Sequence, residues 1–566
     1  MSLALTHPSP LKPLSPKARH ELLWFAGVTI LLLAAGLGLR DPWPADEPRF
    51  ALVAQQMVAS GDWLFPHRGS ELYPDKPPLF MWCQAALLWI GLPLRIAFLL
   101  PSLLAALGTL WLTYDLGHRL WTHRVGLYAA MALLFALQFT FQMKRAQIDP
   151  LLCFWMTLSM YGFLRHLLRG PAFGWWCAGF FAGGLGVITK GVGALTLLVL
   201  LPAAFAAWRG WPGLRFHRSG LHAVAPLLLL LAIGMWLAPM LLVALGGSDP
   251  QYREYVDNIL FRQTAERYAN AWHHHKPWWY FGGVIALQWL PASLALPWAA
   301  PAWWRRLKRR DPRYLLPLGW FALLLLFFSL SPGKREVYIL PALPMFCLTL
   351  APLLPGLLRR RGLHRVGFVF AALLTLLAAL LAAALFSGHP TLMETLGERG
   401  VDDQATLLAW LCGVIAAGAI AALACFRLRR GWWAALAVPG WLWLVVSLGF
   451  YPVLNDSSSA RGLMRDVAEH IGPDAELGLV AWKEQNLLMA DRPATDFGFR
   501  QPVETQRARA ADWLRAAPDH RWILSQRNAL GDCVDEARTV DLGEANRRDW
   551  LLYSADALTG KCRGPQ

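Results

Sequence analysis

The stretch LLWFAGVTILLLAAGLGL, residues 22–39, contains no charged side chain, and its reading decides the fold. It follows a tail carrying Lys12, Lys17 and Arg19, as a signal peptide would, but its outer end lacks the small-residue pattern at which a leader is cut. It therefore reads as a retained helix. Apolar runs of about 20 residues, the length that crosses a bilayer, recur as far as Tyr451 in this 566-residue chain. The chain is 56% hydrophobic and 16% charged, with 30 tryptophans and a mean hydropathy of +0.36. That composition excludes an ordinary soluble protein.

Positive charge sets the orientation. Arg209, Arg215 and Arg218; Arg305, Arg306, Lys308, Arg309 and Arg310; Arg359, Arg360, Arg361 and Arg365; and Arg427, Arg429 and Arg430 form four short basic clusters between apolar segments. Basic clusters mark the cytoplasmic side. Placing them and the N-terminal tail inside requires an even number of crossings between each pair. The count gives thirteen spans, at 22–39, 79–118, 124–142, 150–168, 173–189, 192–208, 223–245, 278–300, 314–330, 338–356, 366–386, 405–426 and 432–452. Residues 79–118 are interrupted by Gly91, Pro93 and Pro101, and charge parity makes them one broken crossing. The expected fold is thus an α-helical polytopic membrane protein with about 13 transmembrane helices. Loops 40–78, 143–149, 246–277, 331–337 and 387–404 then share the outer face with the tail after Asn455.

Composition changes at that tail: charge becomes dense and no spanning segment remains. Residues 1–454 read as a membrane domain and 455–566 as a soluble α/β domain on the outer face. Within the tail, 460–470 and 505–516 read as helices, and 476–482, 521–525 and 550–554 as strands. It shows no nucleotide fingerprint and no metal spacing. Cys83, Cys153, Cys177, Cys347, Cys412 and Cys425 fall in apolar spans, whereas Cys533 and Cys562 fall in the tail, where an oxidising compartment would allow them to pair. The net charge of +16 sits largely in the cytoplasmic clusters, where it meets anionic lipid, so it does not imply a nucleic-acid partner.

The outer loops hold the chemistry. Between residues 46 and 76 lie Asp46, Glu47, Arg49, Asp62, His67, Arg68, Glu71, Asp75 and Lys76. In Asp46-Glu47-Pro48-Arg49-Phe50 the proline suits the start of a helix running to Ser60 and lying in the interface. Asp46 then sits at a helix N-terminus, which keeps a carboxylate ionised. The plainer reading is an N-cap. In Tyr73-Pro74-Asp75-Lys76-Pro77-Pro78 the prolines hold the chain extended and present Lys76 at the membrane surface, where a snorkelling lysine is the plainer reading. Lys190 falls between two apolar spans, Lys334 and Tyr338 lie in Ser331-Pro332-Gly333-Lys334-Arg335-Glu336-Val337-Tyr338, and Asp149 follows Lys144 and Arg145 at another outer turn. Several cations on one face suit an anionic headgroup. Loop 246–277 adds Arg262, Arg267 and the run His273, His274, His275. These are functional suspects at a membrane boundary, although the histidines with Trp278 and Trp279 also fit an interfacial belt.

Asp46-Glu47-Pro48-Arg49-Phe50, Ser60-Gly61-Asp62-Trp63, Asp75-Lys76-Pro77-Pro78, Thr189-Lys190-Gly191 and Gly333-Lys334 with Tyr338-Ile339-Leu340-Pro341 together resemble the polyprenyl-phosphate-sugar-dependent GT-C glycosyltransferases. Among them the set is most similar to the aminoarabinose transferases that modify lipid A. The resemblance covers roughly residues 40–345 and is less specific for the sugar. It implies a catalytic Asp46 with Arg49 beside it. It also implies that Lys76, Lys190, Arg267 and Tyr338, with Lys334, hold the phosphate of an undecaprenyl-phosphate-linked sugar, and that Glu47, Asp75, Asp149 and His274 line a polar cavity. Such relatives commonly carry glutamate where Asp75 stands, and their loop arginine maps to Arg262 or Arg267. Arg267 is chosen because Arg267-Tyr268 resembles an Arg-Phe pair. A divalent cation at Asp75 and His274 is conceivable, but two ligands make an incomplete site.

The reaction implied is inverting transfer of 4-amino-4-deoxy-arabinose from undecaprenyl phosphate to lipid A on the periplasmic face of a bacterial inner membrane, which would lower polymyxin binding. A related transferase moving another sugar, such as mannose, to a protein or glycan is the alternative within the superfamily. A flippase for lipid-linked sugars is the alternative outside it, but transporters show internal repeats and midplane polar groups, whereas these charges gather at one face.

Overall fold

Helix Pro16–Ala34 opens the membrane part, with the Ser15 hydroxyl accepting from the Ala18 amide at 3.3 Å. The computed structural model describes residues 13–214, 219–261, 275–559 and 562. Among these, eight helices are long and apolar enough to cross a membrane, and ten if each of two sharply bent pairs counts as one span. The bent pairs are His123–Leu134 with Leu137–Met143, at 69°, and Tyr280–Gln288 with Ala292–Lys308, at 102°. All thirteen segments read from charge parity fall on helical chain. The three outside the count of ten are Pro16–Ala34, charged at its start, the glycine-rich Phe173–Lys190, and the short Gly193–Trp208.

The stretch 79–118 resolves as its breaks suggest. Helix Leu79–Trp89 has 11 residues, about 16 Å at the α-helical rise, roughly half of a bilayer core. It ends at Gly91, where φ is +87°. There the Leu92 amide donates to Leu87 O at 3.0 Å and the Gly91 amide to Leu88 O at 2.9 Å, the paired bonds that close a helix on a left-handed residue. Only the following Leu94–Leu120 is long enough to cross. Glycines bring the central helices together: a Cβ on Gly162 would lie 2.3 Å from Trp175 O, and one on Gly184 2.5 Å from Leu229 O. Backbones approach this closely only where side chains are absent.

After Asn455 the chain forms a five-stranded sheet. Its strands are β1 (Glu476–Val480), β2 (Ala494–Asp496), β3 (Arg521–Gln526), β4 (Val540–Glu544) and β5 (Asp549–Tyr553), in the order β2-β1-β3-β5-β4. The β1, β2 and β3 pairings are parallel, and β5 runs antiparallel to β3 and β4. Helices Arg461–Ile471 and Val503–Ala516 fall where the sequence suggested. Strands β2 and β4 escaped notice, the first because it has three residues and the second because it reads Val-Asp-Leu-Gly-Glu. Cys533 and Cys562 are joined, with 4.6 Å between their Cα atoms.

This sheet is not separate from the membrane part. Phe50, Met57, Phe80 and Met81 share one buried cluster with Leu463, Leu479, Trp482, Leu524, Trp550 and Leu552. The helix Glu47–Ser60, expected to lie in the interface, is instead covered by protein, with Phe50, Ala51, Leu52, Val53, Ala54 and Met57 all buried.

Candidate active site

The first outer loop is fixed before it can present anything. Glu47, 1% exposed, forms a two-pronged ion pair with Arg40, one prong at 2.8 Å, and accepts the amides of Trp43 at 2.8 Å and Ala146 at 2.9 Å. Burial alone would raise the Glu47 carboxyl; Arg40 and the two amides hold it below its usual range, ionised. Arg40 also packs over Trp43, Phe98 and Tyr451, 5.0–5.2 Å from each ring centre. Behind it, the Lys144 ammonium donates to the carbonyls of Leu32, Leu33 and Ala35 at 2.8, 3.3 and 2.8 Å, which satisfies groups that a helix end leaves unpaired. Glu47 was expected to line the cavity; it is the clamp beneath it.

Asp46 occupies the N-cap position of helix Glu47–Ser60, yet its side chain makes no capping hydrogen bond. The carboxylate turns into a ring of polar groups drawn, its own helix included, from four segments. Gln147 Nε2 donates to Asp46 Oδ2 at 3.2 Å. Gln147 is the N-cap of helix Ile148–Arg169, whose first turn holds Asp149, a position that favours negative charge. Asp149 is ion-paired with Lys190, the last residue of helix Phe173–Lys190, which Gly191 closes at φ +83°. The Lys190 ammonium lies 5.1 Å from the Tyr338 ring centre. Tyr338 is one short turn after Arg335, whose carbonyl accepts the Tyr338 amide at 3.1 Å. The Arg335 guanidinium stands 3.8 Å from Asp46 Oδ2 and closes the ring. Arg49 faces Asp46 from the other side at 3.6 Å.

The tail domain completes the wall. Glu484 accepts from Arg49 Nε at 2.8 Å and lies 3.6 Å from Arg68, which stacks 3.7 Å over the Phe499 ring centre. Asp496 accepts from the Ser70 amide and hydroxyl at 2.9 and 2.8 Å, Glu71 from the Arg500 amide at 2.9 Å, and Asp75 from the Arg500 guanidinium at 3.2 Å. Asp41, fully buried, is gripped by Arg95 and Arg461, each through two hydrogen bonds of 2.6–2.9 Å, and by Asn455 at 2.8 Å. One carboxylate thereby ties the first loop to both the second membrane segment and the tail domain.

The structure therefore brings Asp46, Arg49, Asp149, Lys190 and Tyr338 together. Lys76 is half-buried in the adjacent loop. Lys334 is turned away: 4% exposed, it donates to Ser331 O at 2.6 Å and Lys276 O at 3.0 Å. Asp75 faces Arg500. Arg267 and His274 lie outside the described residues, among which no group of three or more metal-ligating side chains occurs. Sequence reasoning passed over Arg335, Gln147, Asp41 and Glu484. The adjacent ions Arg40-Asp41 at the end of a membrane segment were a usable signal for Asp41; Glu484 sits in no motif at all.

Glu484 holds Arg49 at the bearing it takes toward Asp46. Glu484→Gln is expected to lower kcat by about tenfold while the donor KM changes less than about twofold, with Glu484→Asp recovering part of the rate. Steady-state kinetics on the full chain would show it, and an unchanged kcat in Glu484→Gln, or a kcat loss that Glu484→Asp does not relieve, would rule out this positioning role.

Residues 75–237 match the family described as dolichyl-phosphate-mannose-protein mannosyltransferase. The undecaprenyl phosphate-alpha-4-amino-4-deoxy-L-arabinose arabinosyl transferase of Pseudomonas aeruginosa strain LESB58 is 32% identical, over 93% of this chain and 97% of its own length. The protein of the same name from Edwardsiella ictaluri is 30% identical over 74% of this chain and 75% of its own. In structure the chain is similar to ArnT from Cupriavidus metallidurans bound to undecaprenyl phosphate, with a TM-score of 0.73 at 19% identity, covering 97% of this chain and all of that one. The apo form gives 0.73 at 21%. At these identities the likeness is one of fold.

Proposed function

Since the chain belongs to the undecaprenyl phosphate-alpha-4-amino-4-deoxy-L-arabinose arabinosyl transferase family, we propose that it moves 4-amino-4-deoxy-L-arabinose from undecaprenyl phosphate to a phosphate of lipid A. It is an integral membrane glycosyltransferase. The basic clusters read as cytoplasmic support a site and a tail domain on the periplasmic side of a bacterial inner membrane.

The observation that carries the reading is the ring itself, a carboxylate between two guanidiniums, one of which lies one short helical turn before the tyrosine of a Lys-Tyr pair. The lipid-linked phosphate sits against Lys190 and Tyr338, with Lys76 from the neighbouring loop and, by the family resemblance, Arg267. An acceptor oxygen attacks the anomeric carbon from the Asp46 side. The bond from that carbon to the donor phosphate breaks, and undecaprenyl phosphate departs with the electron pair, so the configuration inverts. Negative charge grows on the departing phosphate, where fixed cations stabilise the transition state more than the ground state. Asp149 holds Lys190 on this bearing. A protonated acceptor delivers its proton to Asp46; a fully ionised phosphate delivers none, and Asp46 then orients the nucleophile or meets the sugar's ammonium.

A divalent cation held by Asp75 and His274 is a finer reading of the adjoining loop, and activity that survives exhaustive chelation removes it. The match of residues 75–237 to a mannosyltransferase family supports a second reading, transfer of another sugar to a protein or glycan. The deciding experiment is mass spectrometry of lipid A from a polymyxin-sensitive host that lacks its own aminoarabinose transferase, makes the donor, and expresses this chain. Aminoarabinose on lipid A supports the first reading. Unmodified lipid A beside folded protein transfers support to the second.

A further inference from the structure

Lys334 and Arg335 are neighbours in sequence and opposites in space. The Lys334 ammonium is spent on two backbone carbonyls and staples its loop. Arg335 projects the other way, 35% exposed in its side chain, with Asp46 as its carboxylate partner among the described residues. Its backbone is anchored on both sides. Gly333 bridges to His275, and Glu336 O accepts from Gln138 Nε2 at 2.7 Å, while Gln138 is itself held by the Trp289 indole at 2.7 Å. Arg335 is a cation presented on a rigid mount.

The other cations at the ring are committed. Arg49 donates to Glu484 at 2.8 Å, and Lys190 is paired with Asp149. Arg335 stands 3.8 Å from Asp46, beyond hydrogen-bonding distance. It makes no side-chain hydrogen bond among the described residues, so its planar fork of donors remains available to an oxyanion. A phosphate nucleophile approaching Asp46 meets a like charge. A guanidinium on the Oδ2 edge of that carboxylate reverses the local sign where the nucleophile must come to rest.

We propose that Arg335 binds the phosphate of the acceptor beside Asp46 and so selects an anionic acceptor over one offering only a hydroxyl. This rests on the transferase reading above and adds the residue that recognises the acceptor. Arg335→Gln removes the charge and the fork; Arg335→Lys keeps the charge alone.

Two measurements on the purified full chain in nanodiscs test it. In steady-state transfer, Arg335→Gln raises the KM for lipid A by about tenfold or more, the factor expected of a charge-assisted hydrogen-bonded pair, leaves the donor KM unchanged, and Arg335→Lys recovers part of the loss. A raised donor KM, or a fall in kcat at constant acceptor KM, overturns the proposal in favour of a donor or positioning role. In native mass spectrometry without donor, the unmodified chain binds bisphosphorylated lipid A about tenfold tighter than fully dephosphorylated lipid A, and Arg335→Gln abolishes the preference. Equal binding of the two lipids by the unmodified chain, or a preference that persists in the variant, overturns it. Binding that follows phosphate and Arg335 in a chain that transfers no aminoarabinose overturns only the choice of sugar.

Discussion

Asp46→Asn is expected to lower the rate of sugar transfer by about 10²–10⁴-fold, the range associated with a positioned general acid or base, while leaving the melting midpoint of the protein in detergent almost unchanged. The side chain keeps its volume, and asparagine retains an oxygen to accept from Gln147 at the position Asp46 Oδ2 now holds. Arg49 keeps its bond to Glu484, so the wall does not collapse. Only the charge between Arg49 and Arg335 is lost. Turnover by the purified variant decides the matter, and a rate within about threefold of the unmodified chain would remove Asp46 from the chemistry. The size of the loss also reports on the acceptor. A fully ionised phosphate needs no base, so its transfer should fall toward the lower end of that range.

One residue along, Glu47→Ala is expected to do the reverse of a chemical mutation. It strands Arg40, whose side chain and that of Glu47 are each 2% exposed, and a buried ion pair broken from one side costs about 3–5 kcal/mol. The amides of Trp43 and Ala146 lose their acceptor as well. The expected readout is a lowered thermal midpoint with loss of folded protein, whatever donor is supplied. A midpoint within error of the unmodified chain would show that the clamp holds nothing. The same group makes stability depend on acid. The folded-state pKa of Glu47 lies below its ordinary value of 4.5, so the folded state binds fewer protons than the unfolded one. Its contribution is therefore complete above that value and is lost as the pH falls through the folded-state pKa. Melting midpoints taken from neutral pH downward should fall more steeply for the unmodified chain than for Glu47→Gln.

That contrast shows what the sequence disclosed and what it withheld. The helices were legible because apolar length and basic clusters are properties of the chain itself. The single crossing within 79–118 was legible from charge parity, and Gly91 and Pro93 marked the break within it. The direction a side chain takes is a different kind of fact. Asp46 and Glu47 are both acids at the start of one helix, and successive helical residues face about 100° apart; which of them turns inward depends on Arg40, placed by the preceding segment. Lys334 and Arg335 are indistinguishable as cations until the carbonyls of Ser331 and Lys276 claim one of them. Glu484 was beyond reach for a further reason, since its position at Arg49 arises only because the tail's strands and the first-loop helix bury a common core.

The ring around Asp46 also has an order in time. The polar groups that surround this carboxylate are translated in succession: Gln147 and Asp149 well after it, Lys190 later, Arg335 and Tyr338 past the middle of the chain, and Glu484 near its close. A chain halted before the tail is made already carries Gln147, Asp149, Lys190, Arg335 and Tyr338 but not Glu484, so its Arg49 lacks the carboxylate that holds it. The wall is complete only when the domain made last has docked on the loop made first.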